Sequence, residues 1–287
     1  MSNFILTGVA GYIAPRHLKA IYDTGNNLLA VSDPHDSVGI IDRYFPHACY
    51  FKEFERFDRH ISKLQKHGEK IDYLSVCSPN FLHDAHIMFG LRIGAKVICE
   101  KPLVINAYNC LALNELVNEY KGEVNCIMQL RLHPEVQKLK KMVDESGKRH
   151  KVELTYSIMR GSWYHFSWKG DESKSGGLMM NIGIHFFDIL LWIFGAAESI
   201  EDVLLTKTSA NGFLKLEKAD VRWKLSIDED TNRSLLIDGE SCNFNDGFTD
   251  LHTKSYEEIL AGRGFPVSDC YPSIKLVNDI KKNFKVL

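Results

Sequence analysis

The sequence predicts a mixed α/β protein in two parts: a doubly wound parallel sheet, followed by an α+β part with a mostly antiparallel sheet. In the first part of the 287 residues, short apolar runs alternate with segments of helical period, at Phe4–Thr7, Pro15–Asp23 and Leu28–Ser32. This alternation is typical of βαβ units. From about residue 123, apolar and polar residues alternate instead, which indicates strands with one solvated face.

The remaining elements of the first part continue the βαβ pattern. Strands are predicted at 73–77 and 96–99, and a long helix over 108–120. A helical pattern lies between the two strands and consists of His83, His86, Ile87 and Leu91. Strands separated by helices in this way predict doubly wound topology.

The second part contains two segments of clear alternation, 152–158 and 221–227. The dipeptide Asp238-Gly239 lies between apolar runs and indicates a hairpin with a two-residue turn, whose second strand is expected at 242–244. These strands predict the mostly antiparallel sheet.

Two helices are expected after the hairpin, over 255–260 and from Ser273 onward. The change of pattern near residue 123 predicts two domains, 1–122 and 123–287. Each is long enough to bury a core of its own.

Composition restricts the possible functions. The formal net charge is −2, which provides no broad basic field, so a nucleic-acid partner is not expected. No charged leader precedes an apolar run, and no stretch approaches about 18 consecutive apolar residues. We therefore expect no membrane segment and a cytoplasmic location. The seven cysteines form no C-x-x-C pair, which favours reduced thiols.

A glycine-poor version of a phosphate-binding turn follows the first predicted strand. Gly8 and Gly11 are separated by two residues, and Tyr12 and Ile13 lead into the predicted helix. A turn with few Cβ atoms lets a pyrophosphate approach backbone amides at a helix N-terminus, where the dipole favours an anion. The alternative is an ordinary strand-to-helix turn, because the spacing is not Gly-x-Gly-x-x-Gly.

An acidic residue ends the second predicted strand. Asp33 lies 33 − 11 = 22 residues beyond Gly11. A carboxylate there accepts the ribose hydroxyls of the adenosine and repels a 2′-phosphate, so NAD is favoured over NADP. The alternative is a surface aspartate before Pro34.

Polar residues also follow the next two strands. Ser78, Pro79 and Asn80 come after one, and Glu100 and Lys101 come after the other. Ligands bind at the carboxyl ends of strands in a doubly wound sheet, so these residues should face the same crevice as the glycine turn.

Lys101 is the predicted proton-transfer group at this edge of the sheet. A lysine beside a positively charged nicotinamide has its charged form disfavoured, which makes proton transfer near neutral pH feasible. A solvated surface lysine is the alternative.

A glycine-rich run opens an apolar helix in the second part. Asn181, His185 and Asp188 fall at i, i+4 and i+7, so on a regular helix they share one face. A core histidine is the alternative, but His185 together with Lys101 is the best candidate pair for proton transfer. No carboxylate and second histidine lie at ligand spacing, so no metal is expected.

Three motifs together resemble the Gfo/Idh/MocA family. They are Ser-Pro-Asn-x-x-His at 78–83, Glu-Lys-Pro at 100–102, and Gly-Gly-x5-Gly-x-His-x-x-Asp at 176–188. The resemblance implies an N-terminal Rossmann domain that holds NAD. It also implies a C-terminal domain with an open-faced sheet, which builds a homo-oligomer, a dimer or tetramer.

Four longer strings resemble a subgroup of that family, the bacterial UDP-N-acetylglucosaminuronate 3-dehydrogenases, which supply diamino-uronic acids for lipopolysaccharide O-antigen. The strings are 11–17, 36–42, 168–171 and 247–252. This resemblance implies a UDP-sugar uronate as substrate. In some relatives 2-oxoglutarate reoxidises the bound NADH, which makes it a candidate second substrate.

The resemblance assigns catalysis to Lys101 and His185 and leaves open which is the base. The family often has Asp where this chain has Asn181, and an amide cannot share a proton with the imidazole. Arg160, at the end of a predicted strand, is our candidate for the substrate carboxylate because its planar fork matches that group.

The residues expected to contact NAD, including those that the resemblance implies, are Gly8, Gly11, Tyr12, Ile13, Asp33, Ser78, Pro79, Asn80, His83, Glu100, Lys101, Gln129, Trp163 and Trp168. Those expected to contact the sugar are Lys101, Arg160, Asn181 and His185. Two other functions stay open at this point: an NAD-retaining glycoside hydrolase of the same family and a non-catalytic dinucleotide sensor.

Overall fold

A computed structural model describes residues 1–242 and 250–282, which form two compact units. The first unit comprises Met1–Val104, Tyr108–Ile127 and Asp250–Asp269, and the second comprises residues 105–107, the described residues from 128 to 242, and those from 270 to 282. The predicted single boundary between residues 122 and 123 differs from this division, because the chain returns to the first unit with Asp250–Asp269.

The described residues form thirteen strands and eleven α-helices. The strands are β1 (Asn3–Thr7), β2 (Asn27–Ser32), β3 (Cys49–Phe51), β4 (Tyr73–Val76), β5 (Lys96–Cys99), β6 (Val124–Cys126), β7 (His150–Ser157), β8 (Ala197–Leu205), β9 (Ser209–Leu216), β10 (Ala219–Ser226), β11 (Asn232–Ile237), β12 (Glu240–Ser241) and β13 (Phe265–Pro266). The α-helices are α1 (Ala14–Asp23), α2 (Ile41–Tyr44), α3 (Phe54–Lys66), α4 (His83–Arg92), α5 (Ala107–Glu119), α6 (Pro134–Ser146), α7 (Trp163–Phe166), α8 (Glu172–Ser175), α9 (Ile184–Phe194), α10 (Leu251–Leu260) and α11 (Val267–Lys282). Each strand and helix predicted for the first part is present within one residue of its expected bounds.

The first unit contains the predicted parallel sheet. Its strand order is β13-β6-β5-β4-β1-β2-β3, and every neighbouring pair is parallel except β13 with β6. The antiparallel edge strand β13 belongs to the returning segment, which the sequence pattern did not reveal. Helix α10 of the same segment packs against α1 and buries Tyr256 completely.

The second unit contains the predicted mostly antiparallel sheet, ordered β12-β11-β7-β10-β9-β8. Only its central pair, β7 with β10, is parallel. The predicted hairpin is confirmed: Asp238 and Gly239 both have positive φ and connect β11 to β12. Its second strand was expected at 242–244, of which 243 and 244 lie outside the described residues.

Helix α9 covers one face of this sheet. Its Phe187 meets Trp223 edge to face with ring centroids 5.3 Å apart, and both side chains are buried. A Cβ on Gly212 would lie 2.8 Å from the Trp223 ring, so glycine makes room for the indole. The segment Glu172–Phe194 is long and apolar enough to span a membrane, but 72% of its most apolar window is buried, as in a core helix.

Both predicted C-terminal helices begin earlier than expected. α10 starts at Leu251 rather than Ser255, and α11 starts at Val267 rather than Ser273. The helix α11 continues through Pro272, the residue before the predicted start, although proline lacks an amide donor. All seven cysteines are free, as the prediction of reduced thiols requires.

One titratable side chain of α4 couples the first unit's stability to pH. His86 stacks on Phe54 and its Nδ1 lies 2.8 Å from the hydroxyl of Ser78. Burial, with a smaller contribution from His83, lowers the pKa of His86 to about 4. The folded unit therefore holds this imidazole neutral at a pH where an unfolded chain would protonate it.

We expect the stability that His86 contributes to be complete above pH 6.5 and to be lost as pH falls toward 4, by up to about 3 kcal/mol in all. His86→Gln should therefore lose about 2 kcal/mol less unfolding free energy than the wild type between pH 7 and pH 5, measured by urea titration. The exposed-histidine variant His67→Gln serves as control. An equal loss in His86→Gln and the wild type would contradict the assignment.

Candidate active site

The register of the parallel sheet aligns the strand ends that the sequence singled out. Thr7 of β1 pairs with both Ser32 and Val76, and Val76 pairs with Cys99. The residues that follow these strands therefore lie at one edge of the sheet, as the sequence predicts. The strand ends are also connected directly, because the Gly8 amide donates to the Ser32 carbonyl over 2.7 Å.

The glycine turn is tight and lies on the neighbouring strand end. Gly8 has φ +84°, and a Cβ there would be 2.4 Å from the carbonyl carbon of Cys77, so only glycine fits. The Gly11 amide donates to the Gly8 carbonyl over 3.1 Å, and α1 begins three residues later. The Tyr12 side chain is 83% exposed. Such a turn can hold a pyrophosphate against the start of the helix.

Asp33 ties this turn to the end of β2. Its side chain is buried; Oδ2 accepts from the Ala10 amide over 3.0 Å and Oδ1 accepts from the His35 amide over 2.9 Å. Each oxygen has further lone-pair capacity, because a carboxylate offers about four acceptor sites. The ribose hydroxyls of NAD fit that capacity, while a 2′-phosphate would be repelled by the charge.

His83, a predicted cofactor residue, lies inside the first unit between two strand ends. It is completely buried, and its ring nitrogens lie 2.8 Å from the carbonyl oxygens of Ser78 and Pro102. The imidazole thus joins the two segments that leave β4 and β5, and it supports them from within the unit. Asn80 is buried in the same segment.

Glu100 is likewise committed to internal hydrogen bonds. Its Oε1 lies 2.8 Å from His17 Nε2 and 2.9 Å from His252 Nε2. Burial alone would raise the pKa of Glu100, but the hydrogen bonds from His17 and His252 outweigh it and hold the pKa well below its usual range. Glu100 is therefore an ionised, buried group beside Lys101, which is itself half-buried. His17 and His252 end two of the strings that carry the resemblance, 11–17 and 247–252, but no role was predicted for either histidine.

In the second unit, a buried ion pair anchors the segment that contains Gln129. Arg131 donates to both carboxylate oxygens of Asp188 over 2.9 and 2.7 Å. Asp188 is on α9, three residues after the half-buried His185, so the pair fixes that helix to the short helix Gln129–Leu132. The Gln129 Oε1 atom is buried and has no hydrogen-bond partner within the described residues.

The predicted substrate residues Arg160 and Asn181 meet at one aromatic side chain. The Asn181 amide donates to the Tyr164 hydroxyl over 2.8 Å, and the Arg160 guanidinium lies 5.9 Å from the centre of the Tyr164 ring. Asn181 lies in a π-helical turn, Met179–Gly183, so its spacing to His185 is not the regular α-helical one assumed from the sequence.

A second cation belongs to this cluster and was missed. The Lys169 ammonium lies 5.5 Å from the Trp163 ring and 5.7 Å from the Trp168 ring. Burial and then the charge of Arg160 lower the pKa of Lys169. Arg160 Nε is buried and lacks a hydrogen-bond partner among residues 1–242 and 250–282. Two neighbouring cations in a partly desolvated setting are suited to an anion.

A parallel sheet whose strand ends carry a tight glycine turn, a buried carboxylate and a lysine is typical of a dinucleotide-binding domain. The family model for GFO_IDH_MocA oxidoreductases, described as an NAD-binding Rossmann fold, matches residues 2–127. The model for the family's C-terminal alpha/beta domain matches residues 140–231. The chain belongs to the Gfo/Idh/MocA oxidoreductase family.

Solved structures agree with this membership. The WlbA (WbpB) dehydrogenase from Thermus thermophilus, in complex with NAD and alpha-ketoglutarate, has 44% sequence identity and a TM-score of 0.96. The match covers 100% of this chain and 96% of that one. The same dehydrogenase in complex with NAD and UDP-GlcNAcA has a TM-score of 0.94 at 44% identity, over the same shares of the two chains.

Curated relatives are more distant. Glucose-6-phosphate 3-dehydrogenase of Bacillus subtilis is 23% identical over 96% of this chain and 72% of its own length. Inositol 2-dehydrogenase of Corynebacterium glutamicum is 23% identical over 69% of this chain and 56% of its own length. The match thus covers about three quarters of the first of these relatives and about half of the second.

We expect Asp33→Ala to weaken NAD binding about 10- to 100-fold, since hydrogen bonds to a charged group contribute roughly 1.5–3 kcal/mol. Asp33→Asn, which keeps one acceptor oxygen, should lose less. Quenching of tryptophan fluorescence on titration with NAD measures both. Asp36→Ala, at an exposed acid three residues away, is the matched control. Unchanged affinity in Asp33→Ala would remove this carboxylate from the cofactor site.

Proposed function

We propose that this protein oxidises the C3 hydroxyl of UDP-N-acetyl-D-glucosaminuronic acid to the 3-keto sugar, with NAD as acceptor. The observation that carries the proposal is 44% identity, over the whole chain, to a WlbA dehydrogenase crystallised with NAD and UDP-GlcNAcA. Position 3 is supported by two curated relatives, glucose-6-phosphate 3-dehydrogenase and D-glucoside 3-dehydrogenase.

The proposed preference for NAD rests on residues of the first unit. The turn at Gly8 and the Asp33 carboxylate fit a dinucleotide with a free ribose 2′-hydroxyl, and His35 and Asp36 add no fixed positive charge for a 2′-phosphate. When bound, NAD supplies the acceptor for the hydride from C3. The protein's task is to bind the sugar and to accept the proton of the C3 hydroxyl as the carbonyl forms.

Lys101 and His185 are the two candidates for the group that accepts this proton. Lys101 follows a strand end of the NAD-binding unit, and its amide is fixed by Glu100. His185 lies on α9 after Asn181. The Asn181 side chain donates to the Tyr164 hydroxyl and, being an amide rather than a carboxylate, has no basic group that could take up the proton. General-base catalysis by either group accelerates a reaction by about 10²- to 10⁴-fold.

Arg160 and Lys169 are proposed to bind the uronate carboxylate. The substrate carries a carboxylate and a diphosphate, and a buried guanidinium nitrogen such as Arg160 Nε requires an acceptor. Trp163 and Trp168 flank Lys169 and limit its hydration, which strengthens its attraction to an anion.

The cellular role is proposed by the same reasoning. The 3-keto sugar would be an intermediate in the synthesis of diamino-uronic acids for lipopolysaccharide O-antigen, made by a cytoplasmic dimer or tetramer. NADH would be reoxidised by 2-oxoglutarate, as the complex of the Thermus thermophilus enzyme with NAD and alpha-ketoglutarate suggests.

The central experiment mixes the purified protein with NAD and a panel of UDP-sugars and UDP-uronates, and follows nicotinamide absorbance with and without 2-oxoglutarate. Lys101→Met should lower kcat by about 10²- to 10⁴-fold, as should a variant at His185 if the imidazole is the base. Lys96→Met, at the exposed opposite end of β5, is the control. NAD binding without reduction by any sugar would indicate a sensor, and release of free sugar without net NADH a glycoside hydrolase.

Lys169 should govern the preference for a uronate. We expect Lys169→Met to lower kcat/KM for UDP-N-acetylglucosaminuronate about 10- to 100-fold, since hydrogen bonds to charged groups contribute roughly 1.5–3 kcal/mol. The analogue UDP-N-acetylglucosamine, whose sugar is uncharged because it lacks the carboxylate, should be affected little. Lys174→Met, at an exposed lysine of α8, is the control. Equal losses of kcat/KM with both sugars would show that Lys169 does not recognise the carboxylate.

A further inference from the structure

Five polar side chains form a continuous hydrogen-bonded series inside the first unit. The series runs Ser75, Tyr256, His17, Glu100, His252, with successive distances of 2.7, 2.8, 2.8 and 2.9 Å. The first three are completely buried, and the last two are 6% and 3% exposed. We name it the buried series. It joins β4, α1, the end of β5 and α10.

The protonation states of the buried series are mutually consistent. Glu100 is ionised, burial lowers the pKa of His17, and burial raises the pKa of Tyr256 well above its usual value. His17 is therefore neutral; its Nε2–H donates to Glu100 and its Nδ1 accepts from the Tyr256 hydroxyl. The Tyr256 oxygen in turn accepts from Ser75. Each donor thus has one acceptor. The hydrogen bonds from Ser75 through Tyr256 and His17 all run in the direction of the Glu100 carboxylate.

At Glu100, its fourth member, the series lies beside the proposed catalytic lysine. Glu100 Oε2 accepts from the Lys101 amide over 3.2 Å, and the Glu100 amide donates to the Val76 carbonyl over 3.0 Å. The carboxylate thus fixes the direction in which the chain leaves β5. His252 contacts the carboxylate directly and Tyr256 contacts it through His17. Both residues belong to this unit because the chain returns to it at Asp250.

The same residues have the chemistry of a metal site, but their spacing favours hydrogen bonds. The ligand atoms of His17, Glu100 and His252 all lie within 4.8 Å of one another. Ligands bound tetrahedrally to zinc at about 2.0–2.1 Å stand about 3.3 Å apart. The nitrogen-to-oxygen distances of 2.8 and 2.9 Å are shorter and match charge-assisted hydrogen bonds.

We propose that His17, Tyr256 and His252 are positioning residues for Lys101, acting through the ionised Glu100. The inference rests on the proposed role of Lys101 in proton transfer. Displacement of a catalytic group by about 1 Å can cost 10²-fold in rate without contact to the substrate. The buried series would then affect the chemical step, whereas NAD binding at Gly8 and Asp33 would be preserved.

The test compares Tyr256→Phe, which removes one hydroxyl, with Ser255→Ala, which removes a buried hydroxyl of the same helix outside the series. Both should lose a similar amount of stability in urea, because each loses one buried hydroxyl. Tyr256→Phe should lower kcat with the UDP-uronate about 10-fold and leave the Kd for NAD unchanged, while Ser255→Ala should keep wild-type kcat. Equal kcat values in the two variants would overturn the proposal.

His252 supplies a second comparison. His252→Gln retains a donor near the Nε2 position and should keep most of kcat, while His252→Leu should lose at least as much as Tyr256→Phe. Loss of NAD affinity in parallel with kcat would show a structural role only. Zinc bound stoichiometrically to the purified wild type would show that His17, Glu100 and His252 bind a metal, and would overturn the proposal. Absence of turnover in the wild type itself would reject the proposed function instead.

Discussion

The register of the parallel sheet is the constraint on which the candidate site depends. Hydrogen bonding of β1 to β2 and β4, and of β4 to β5, brings four strand ends to one edge of the first unit. The residue types and positions that follow those strand ends are then restricted. Gly8 must be glycine because the backbone of Cys77 occupies the space of a Cβ, and Asp33 can reach the Ala10 amide because β2 ends level with β1.

Buried carboxylates recur where the two units must hold a functional segment still. Asp33 binds the glycine turn, Glu100 binds the chain that leads into Lys101, and Asp188 binds Arg131 near Gln129. A buried charge is costly unless it is paired or hydrogen-bonded, so each carboxylate restricts its partners to one geometry. All three carboxylates lie beside residues assigned to NAD binding or to proton transfer, whose positions must be fixed.

Features that depend on residues close together in the sequence could be predicted from the sequence. The apolar pattern located β1, β2, β4 and β5. The rule that ligands bind at strand ends led us to expect Asp33 and Lys101 at one edge of the sheet, where the strand register places them. The missed features depend on distant partners. His17 lies 83 residues from Glu100, and nothing in the pattern of α1 distinguishes it from a core histidine. The π-helical turn at Asn181 also has no signal in residue spacing, because regular α-helical period was assumed.

The returning segment explains why a boundary near residue 123 could not describe the first unit. Residues 250–269 supply β13 at the sheet edge and α10 against α1, and α10 carries both His252 and Tyr256. Without that helix, Glu100 would lose the donor at His252, and His17 would lose the hydroxyl that fixes its tautomer. The buried carboxylate would then have fewer donors than its charge requires. The NAD-binding unit is therefore complete only with the segment Asp250–Asp269, which follows the second sheet in the sequence.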